Sequence, residues 1–205
     1  MKKENYLCLN GRKIELTKEQ LAKIRDSVVK KTKLSEKEVG DIVTIGDYEY
    51  IVLEQNNFIG ATFLLMKDLL EEDVEFGESA DFKTSNVKKI LDKFALELEK
   101  EVGSDNVIEH TVDLTADDGL KDYGNTTAKV SLLTCDLYRK FVYIIDKFKL
   151  DKWWWLATAF STPTHDFRTL VKCVTPRGCV RNFICDFNYY GVRPFCILNS
   201  NIFVS

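Results

Sequence analysis

DKWWWLATAFS, residues 151–161, carries three consecutive tryptophans at the start of an apolar segment. Side chains alternate between the two faces of a β-strand, so Trp154 must face opposite to Trp153 and Trp155. The stretch therefore predicts a strand over residues 153–159 with tryptophans on both faces, which favours a sheet floor over a single aromatic platform for a ligand.

The chain of 205 residues suits one domain with a small appendage. Its hydrophobic content of 45% and charged content of 30% are ordinary for a globular protein. No apolar run approaches the roughly 18 residues of a membrane span, and the N-terminus lacks the apolar core of a secretion signal. These features predict a cytoplasmic protein.

The six cysteines show no C-x-x-C spacing and are too sparse for a disulfide-dense scaffold. They are Cys8, Cys135, Cys173, Cys179, Cys185 and Cys196. We expect most of them to be free thiols that act as small buried hydrophobes. His110 lies near several aspartates that could gather a cation, yet no metal-binding spacing occurs, and we predict neither a metal nor a cofactor.

The formal net charge of −3 is unevenly distributed. Residues 152–205 have six basic side chains against two acidic ones, a formal charge of +4, which leaves −7 for the remainder. A stretch without basic residues, 68–81, follows the apolar run at residues 61–66. Its acidic residues are Asp68, Glu71, Glu72, Asp73, Glu75, Glu78 and Asp81. Such a run is typical of a solvated face, and the alternative is an acidic surface that meets a basic groove of a partner.

The N-terminal part predicts a β-hairpin followed by a helix. Residues 6–9 and 12–16 are strand-like, and Asn10-Gly11 between them suits a two-residue turn. Thr17 and Gln20 form a capping box that opens a helix to about Lys31. This segment has too little core to stand alone, so we expect an appendage, residues 1–33, that packs on the main domain, residues 34–205, or on a second copy in a homodimer.

The main domain predicts an α+β fold in which helices precede a run of short strands. Turn residues Gly46-Asp47 separate the strands of a second hairpin, and Ser85 caps the clearest helix, which stops before Gly103. A second helix begins at Thr134. The predicted strands are residues 41–45, 48–54, 61–66, 107–114, 130–133, 153–159, 169–175, 179–186 and 192–198.

Several motifs resemble, in order and spacing, a family of unannotated bacterial and phage domains that end in WWLRS-like and GVRP-like strands. The matching stretches are GDYEYIVL (46–53), ATFLLM (61–66), the helix capped by Ser85, SLLTC (131–135), WWL (154–156) and GVRP (191–194). The chain departs from the family where Ala157-Thr158 replaces the usual arginine, so any contact made by that arginine is in doubt. The N-terminal stretch also resembles a leader found on phage and prophage proteins.

The resemblance implies a branch of the C-type-lectin-like fold, with a twisted antiparallel sheet, two flanking helices and loops that present a binding face. Formylglycine-generating enzymes and the variable proteins of diversity-generating retroelements belong to the same wider group. In the family pattern Trp154 and Trp155 are structural, which leaves Trp153 as the tryptophan expected to be exposed.

The stretch before GVRP mixes aromatic, amide and arginine side chains, as evolved binding loops do. We predict that it binds a protein partner, and we expect about half of its aromatics to be exposed and half to lie in the core. The alternative is that Phe183 and Phe187 point inward. The predicted binding residues are Trp153, Phe160, Arg168, Arg177, Arg181, Asn182, Phe187, Asn188, Tyr189 and Tyr190. Direct nucleic-acid binding is disfavoured because the chain is acidic and lacks a clustered basic stripe.

The leading hypothesis is a non-enzymatic recognition protein of a phage or mobile element. A sharper version is an inhibitor of a host defence nuclease, similar to anti-CRISPR proteins, that acts sterically or by acidic mimicry. The first alternative is a formylglycine-generating-type oxidoreductase that uses Cys179 and Cys185. The second is a retroelement-diversified variable protein.

Overall fold

A computed structural model describes residues 6–9, 12–17, 19–20 and 31–205 of the chain. The chain divides into two compact units. The first comprises Met1–Thr32 together with Ser205, and the second is Lys33–Val204.

The first unit contains the predicted hairpin. Strands β1 (Tyr6–Leu9) and β2 (Arg12–Glu15) pair antiparallel, with Tyr6 opposite Glu15. Thr17 and Gln20 form the predicted capping box: the Gln20 N–H donates to Thr17 Oγ1 at 3.2 Å, and the Thr17 N–H donates to Gln20 Oε1 at 3.0 Å. The Asn10-Gly11 turn and the predicted continuation of the helix over residues 21–30 lie outside the described residues.

The rest of the chain is an α+β structure built from antiparallel strands and two α-helices, as predicted. The helices are α1 (Asn86–Val102) and α2 (Cys135–Ile145). The strands are β3 (Thr32–Lys33), β4 (Ile42–Ile45), β5 (Tyr48–Asn56), β6 (Ala61–Met66), β7 (Val107–Ile108), β8 (His110–Asp113), β9 (Asn125–Ala128), β10 (Val130–Ser131), β11 (Trp154–Ala159), β12 (Leu170–Val174), β13 (Val180–Ile184), β14 (Phe195–Asn199) and β15 (Phe203–Val204).

Two sheets organise the second unit. The larger has the order β10-β14-β6-β5-β4, with β7 also paired to β14. The smaller has the order β11-β12-β13, and β8 and β9 form a separate hairpin. All strand pairs in these sheets are antiparallel.

Both helices begin where a hydroxyl side chain accepts an otherwise unpaired backbone N–H. Ser85 Oγ accepts from the Lys88 N–H at 2.9 Å, and Thr134 Oγ1 accepts from the Leu137 N–H at 3.2 Å. Helix α1 ends at Gly103, whose φ of +88° lies in the region that favours glycine. The sequence predicted both starts and this stop correctly because these signals are local. Among the described residues, neither helix has the length and hydropathy that a bilayer crossing would require.

The large sheet is covered on both faces. Tyr50 and Val52 face the core formed with α1, while Ile51 and Leu53 face the core formed with α2. A central strand sandwiched between two helices buries both of its side-chain sets, so the apolar positions run consecutively.

The tryptophans divide between the two cores as strand alternation predicts. Trp155 is fully buried in the α1 core, and Trp154, 2% exposed, is buried in the α2 core. Trp153, which was expected to be exposed, is instead half-buried, because its ring stacks on that of Tyr190 just before β11. The opening stretch therefore forms the floor of the small sheet.

The sequence predicts a strand over residues 192–198, which includes most of the segment GVRP (191–194). In the structure this segment joins the two sheets instead. Gly191 exchanges backbone hydrogen bonds with Trp155 (3.1 Å) and Trp153 (2.9 Å) of the small-sheet region. The Pro194 carbonyl accepts from the Met66 N–H at 2.8 Å in the large sheet. Strand β14 therefore begins only at Phe195, because the residues before it form hydrogen bonds with both sheets.

Candidate functional site

An aromatic cluster surrounds Tyr190 beside the small sheet. The Tyr190 ring stacks on that of Trp153, with the ring centroids 5.2 Å apart and the ring planes 6° from parallel. Its centroid lies 4.5 Å from that of the Trp155 ring. Phe183 and Phe187 pack against it at 5.4 and 5.5 Å. Tyr190 is only 4% exposed. Its predicted place on the binding face is therefore corrected, because it is the buried centre of this cluster.

The outer layer of the cluster is accessible. Tyr189 is 63% exposed and packs against Phe187 at 4.9 Å. Asn188 beside it is exposed, while Phe183 and Phe187 are half-buried, as the core-facing alternative for these two residues predicted. A rigid aromatic base thus supports an exposed tyrosine and an exposed amide.

The three predicted arginines lie on or beside the hairpin of β12 and β13. Arg181 is on β13, Arg177 is in the connecting turn, and Arg168 lies two residues before the start of β12. All three are exposed, and none forms an ion pair with a described residue. Arg181 lies on the same strand as Phe183 and so adjoins the aromatic cluster, whereas Arg177 is at the far end of the hairpin.

Phe160 lies on the opposite face of the small sheet from Tyr190. Its backbone N–H donates to the Leu170 carbonyl at 2.8 Å, and its half-buried ring meets that of Phe167 edge-on at 5.2 Å. The ten predicted residues therefore do not form one site. Trp153, Phe187 and Tyr189 gather around Tyr190, while Phe160 and Arg177 lie apart from them.

The acidic segment, residues 68–81, is ordered along the aromatic cluster. Its backbone bonds to the loop before β14: the Val74 N–H donates to the Tyr190 carbonyl at 2.8 Å, and Trp155 Nε1 donates to the Val74 carbonyl at 2.8 Å. Its predicted carboxylates are exposed except for half-buried Asp81. Only Glu72 and Asp81 pair with a described lysine, at 3.2 and 3.9 Å.

The cysteines proposed for the enzymatic alternative do not meet. Cys179 is exposed and precedes β13, and Cys185 is buried and follows it. A five-residue strand separates them, which corresponds to about 20 Å. Burial raises the pKa of Cys185, so this thiol is protonated at neutral pH. The geometry does not favour a reactive Cys179–Cys185 pair.

A polar network holds the loop before β9 against the small sheet. Asp117 accepts hydrogen bonds from Arg139 at 2.8 Å and from Lys172 at 2.9 Å. Asp118 Oδ2 accepts from Ser161 Oγ at 2.5 Å and lies 3.1 Å from His165 Nδ1. The serine bonds to the carboxylate instead of to the imidazole, so these three side chains do not form a nucleophile–base pair.

A cleft of about 470 Å³ opens beside this network. Its wall includes Cys135, Thr158 and Asp117. Burial raises the pKa of Cys135 to about 11, so its thiol is not a ready nucleophile at neutral pH. The cleft therefore lacks an activated nucleophile among these wall residues.

The predicted neighbours of His110 do not assemble around it. His110 Nε2 lies 2.9 Å from Ser131 Oγ, and burial lowers the pKa of the imidazole. Asp113 instead accepts hydrogen bonds from Thr115. Over the described ranges, no group of three or more His, Cys, Asp or Glu side chains could hold a metal ion.

Comparisons of the chain with protein-family models, with curated proteins and with solved structures give no significant match.

Proposed function

We propose that this chain is a recognition protein that binds a protein partner through the aromatic loop before β14 and the adjoining strand β13. The observation that carries the proposal is Tyr189, an exposed aromatic side chain held on a packed base of Phe187, Phe183 and Tyr190. Aromatic side chains fixed in this way lose little conformational entropy on binding. They are enriched among the residues that dominate interface energies.

The neighbouring polar groups support the same proposal. Arg181, Asn182 and Asn188 are exposed and can make directional hydrogen bonds around the tyrosine. Interfaces typically combine an aromatic or arginine anchor with such a polar rim. Binding at this surface acts sterically and needs no catalytic group.

The finer assignment rests on the motifs of the sequence. We propose a branch of the C-type-lectin-like fold, in which WWL and GVRP form the scaffold and the intervening loops carry the ligand face. Two helices that flank antiparallel sheets are compatible with this assignment. The resemblance of the N-terminal stretch supports a phage or mobile-element origin and a partner in the host.

The test captures partners from a host lysate with the full chain and then measures each affinity by titration calorimetry. Tyr189→Ala and Arg181→Ala should each weaken binding by about 1–3 kcal/mol, or roughly 5- to 150-fold. Tyr143→Ala is the matched control, because Tyr143 is 87% exposed on α2 and lies outside the aromatic cluster. Equal losses for Tyr189→Ala and Tyr143→Ala would refute the proposed surface.

A second candidate function is suggested by the acidic segment. Its five carboxylates without a described ion-pair partner are Asp68, Glu71, Asp73, Glu75 and Glu78. Such a row matches a basic nucleic-acid groove of a host defence nuclease, which the chain would block. Competing DNA should displace the captured partner, and Glu75→Gln with Glu78→Gln should weaken binding most at low salt. Retention of the partner at saturating DNA would exclude this mimicry while leaving the Tyr189 surface untouched.

A further inference from the structure

The outer edge of the small sheet is strand β13, which pairs with β12 alone. The Cys185 N–H donates to the Thr169 carbonyl at 2.7 Å, which fixes the bonded positions of the ladder. Because these positions alternate in an antiparallel pair, Phe183 and Arg181 point their backbone groups toward β12. The backbone groups that point outward, away from β12, are those of Val180, Asn182 and Ile184.

Most of these outward groups are free to pair. The Val180 carbonyl accepts from Arg181 Nη1 at 3.2 Å, and the Ile184 carbonyl accepts from the Phe187 N–H at 3.2 Å. The N–H and C=O of Asn182, and the N–H groups of Val180 and Ile184, have no hydrogen-bond partner among the described residues. Sheet edges are usually protected by proline, a bulge or charged side chains, lysine above all; β13 has no proline, lysine or bulge, and its one charged residue is Arg181.

An apolar row crosses the small sheet and ends at this edge. Phe160 bonds to Leu170 at 2.8 Å, and Leu170 lies opposite Ile184 in the register, so the three side chains share one face. Ile184 is 47% exposed, and Phe167, which packs on Phe160, is 44% exposed. A strand added beside β13 would place alternate side chains against this row.

The positive charge of the β12–β13 hairpin favours acidic side chains on the other face of an added strand. Residues 169–185 contain Lys172, Arg177 and Arg181 but no acidic residue. Lys172 is neutralised by Asp117 at 2.9 Å, which leaves the two exposed arginines. Acidic side chains of an incoming strand would meet Arg181 on the face opposite to Ile184.

We propose that β13 is a pairing edge that accepts an extended segment of the protein partner, with acidic residues facing Arg181 and apolar residues facing Ile184. This inference rests on the proposed function and specifies how the partner is held. Backbone pairing at such an edge supplies affinity, while alternate side chains supply specificity. Antiparallel pairing of β13 with a second copy is disfavoured, because the symmetric register that sets Asn182 opposite Asn182 places the two Arg181 side chains at diagonal positions about 7–8 Å apart.

The probe is a displayed library of random 12-residue peptides, selected on the full-length chain. The expected winners alternate acidic with β-branched or aromatic residues. A synthetic winner should lose at least 10-fold in affinity for Asn182→Pro, because proline removes an outward N–H but no bond to β12. N-methylation of the peptide residues whose N–H groups face β13 should abolish binding, whereas N-methylation of the residues in between should leave binding unchanged.

Ile184→Lys and Arg181→Glu provide readouts that do not depend on proline. Ile184→Lys should weaken the same peptide at least 10-fold, and Arg181→Glu should select peptides with basic residues at the formerly acidic positions. The proposal is overturned if the library yields no binder, if winners lack the two-residue period, or if folded Asn182→Pro binds them unchanged. A captured partner that is weakened by Tyr189→Ala but not by Asn182→Pro or Ile184→Lys would overturn edge pairing and leave the proposed function standing.

Discussion

Arg193 of the GVRP segment should be the residue on which the junction of the two sheets depends most. It is fully buried, yet it has no carboxylate partner within ion-pair distance among the described residues. Its guanidinium donates to the carbonyls of Met66 (2.9 Å), Lys67 (2.8 Å) and Phe148 (3.2 Å) and lies 5.2 Å from the centre of the Trp154 ring. Burial lowers the pKa of Arg193 to about 10, so the side chain remains charged at neutral pH.

The magnitude follows from what Arg193→Met leaves behind. Methionine fills much of the arginine stem volume, but three carbonyl oxygens lose a charged donor, one in a buried hydrogen bond and two in partly buried ones. Each uncompensated buried group costs about 1–3 kcal/mol. Removing the charge also relieves part of its desolvation penalty. We expect a net loss of about 3–5 kcal/mol, which corresponds to roughly 6–20 °C in Tm for a domain of this size.

The assay is urea unfolding monitored by tryptophan fluorescence, to which Trp154 contributes from its position beside Arg193. Arg193→Lys should recover only part of the loss, because one ammonium cannot reproduce the planar fork of donors. The matched control is Arg181→Met, an exposed arginine whose loss should change the free energy of unfolding by less than about 0.5 kcal/mol. A change below about 1 kcal/mol for Arg193→Met would refute the structural role of this residue.

Three further predictions test other parts of the structure. Gly191→Ala should cost about 1–3 kcal/mol, because a Cβ there would lie 2.3 Å from Leu69 Cδ1, and Leu69→Ala in the same chain should reduce that cost. In a Cys8→Ser background, Cys179 should react with a thiol reagent in the native state before the buried cysteines do, and equal rates for all thiols would contradict the fold. Burial raises the pKa of Cys173 to about 12 from an ordinary value of 9.0. The contribution of this shift to stability is therefore complete below pH 9 and is lost as the pH rises toward 12. Cys173→Ala should flatten the decline in the free energy of unfolding between these pH values.

The sequence predicted best what short-range rules determine. The caps at Ser85 and Thr134 and the stop at Gly103 require only neighbouring backbone groups, and all three occur in the structure. The division of Trp154 and Trp155 between the two cores follows from the fixed period of a strand. The α+β class is also confirmed. It could be predicted because turn residues and hydrophobic periodicity are visible along the chain.

Long-range contacts were not predictable from single positions. Tyr189 and Tyr190 are adjacent in a loop without a regular period, so nothing in the sequence indicated that only Tyr190 turns into the core. Arg193 was missed because its partners are backbone carbonyls of distant residues, which have no sequence signature. The open edge at Asn182 likewise depends on which strands become neighbours, which the pattern of β13 alone does not determine.

The most direct measurement is residue-resolved amide hydrogen exchange of the full chain with and without a captured partner. In the free chain, the Arg181 and Phe183 amides should be protected by β12, while those of Val180, Asn182 and Ile184 exchange quickly. On binding, protection should appear at these three outward amides and around Tyr189. Protection confined to the acidic segment, or absent from both β13 and the aromatic loop, would contradict the account.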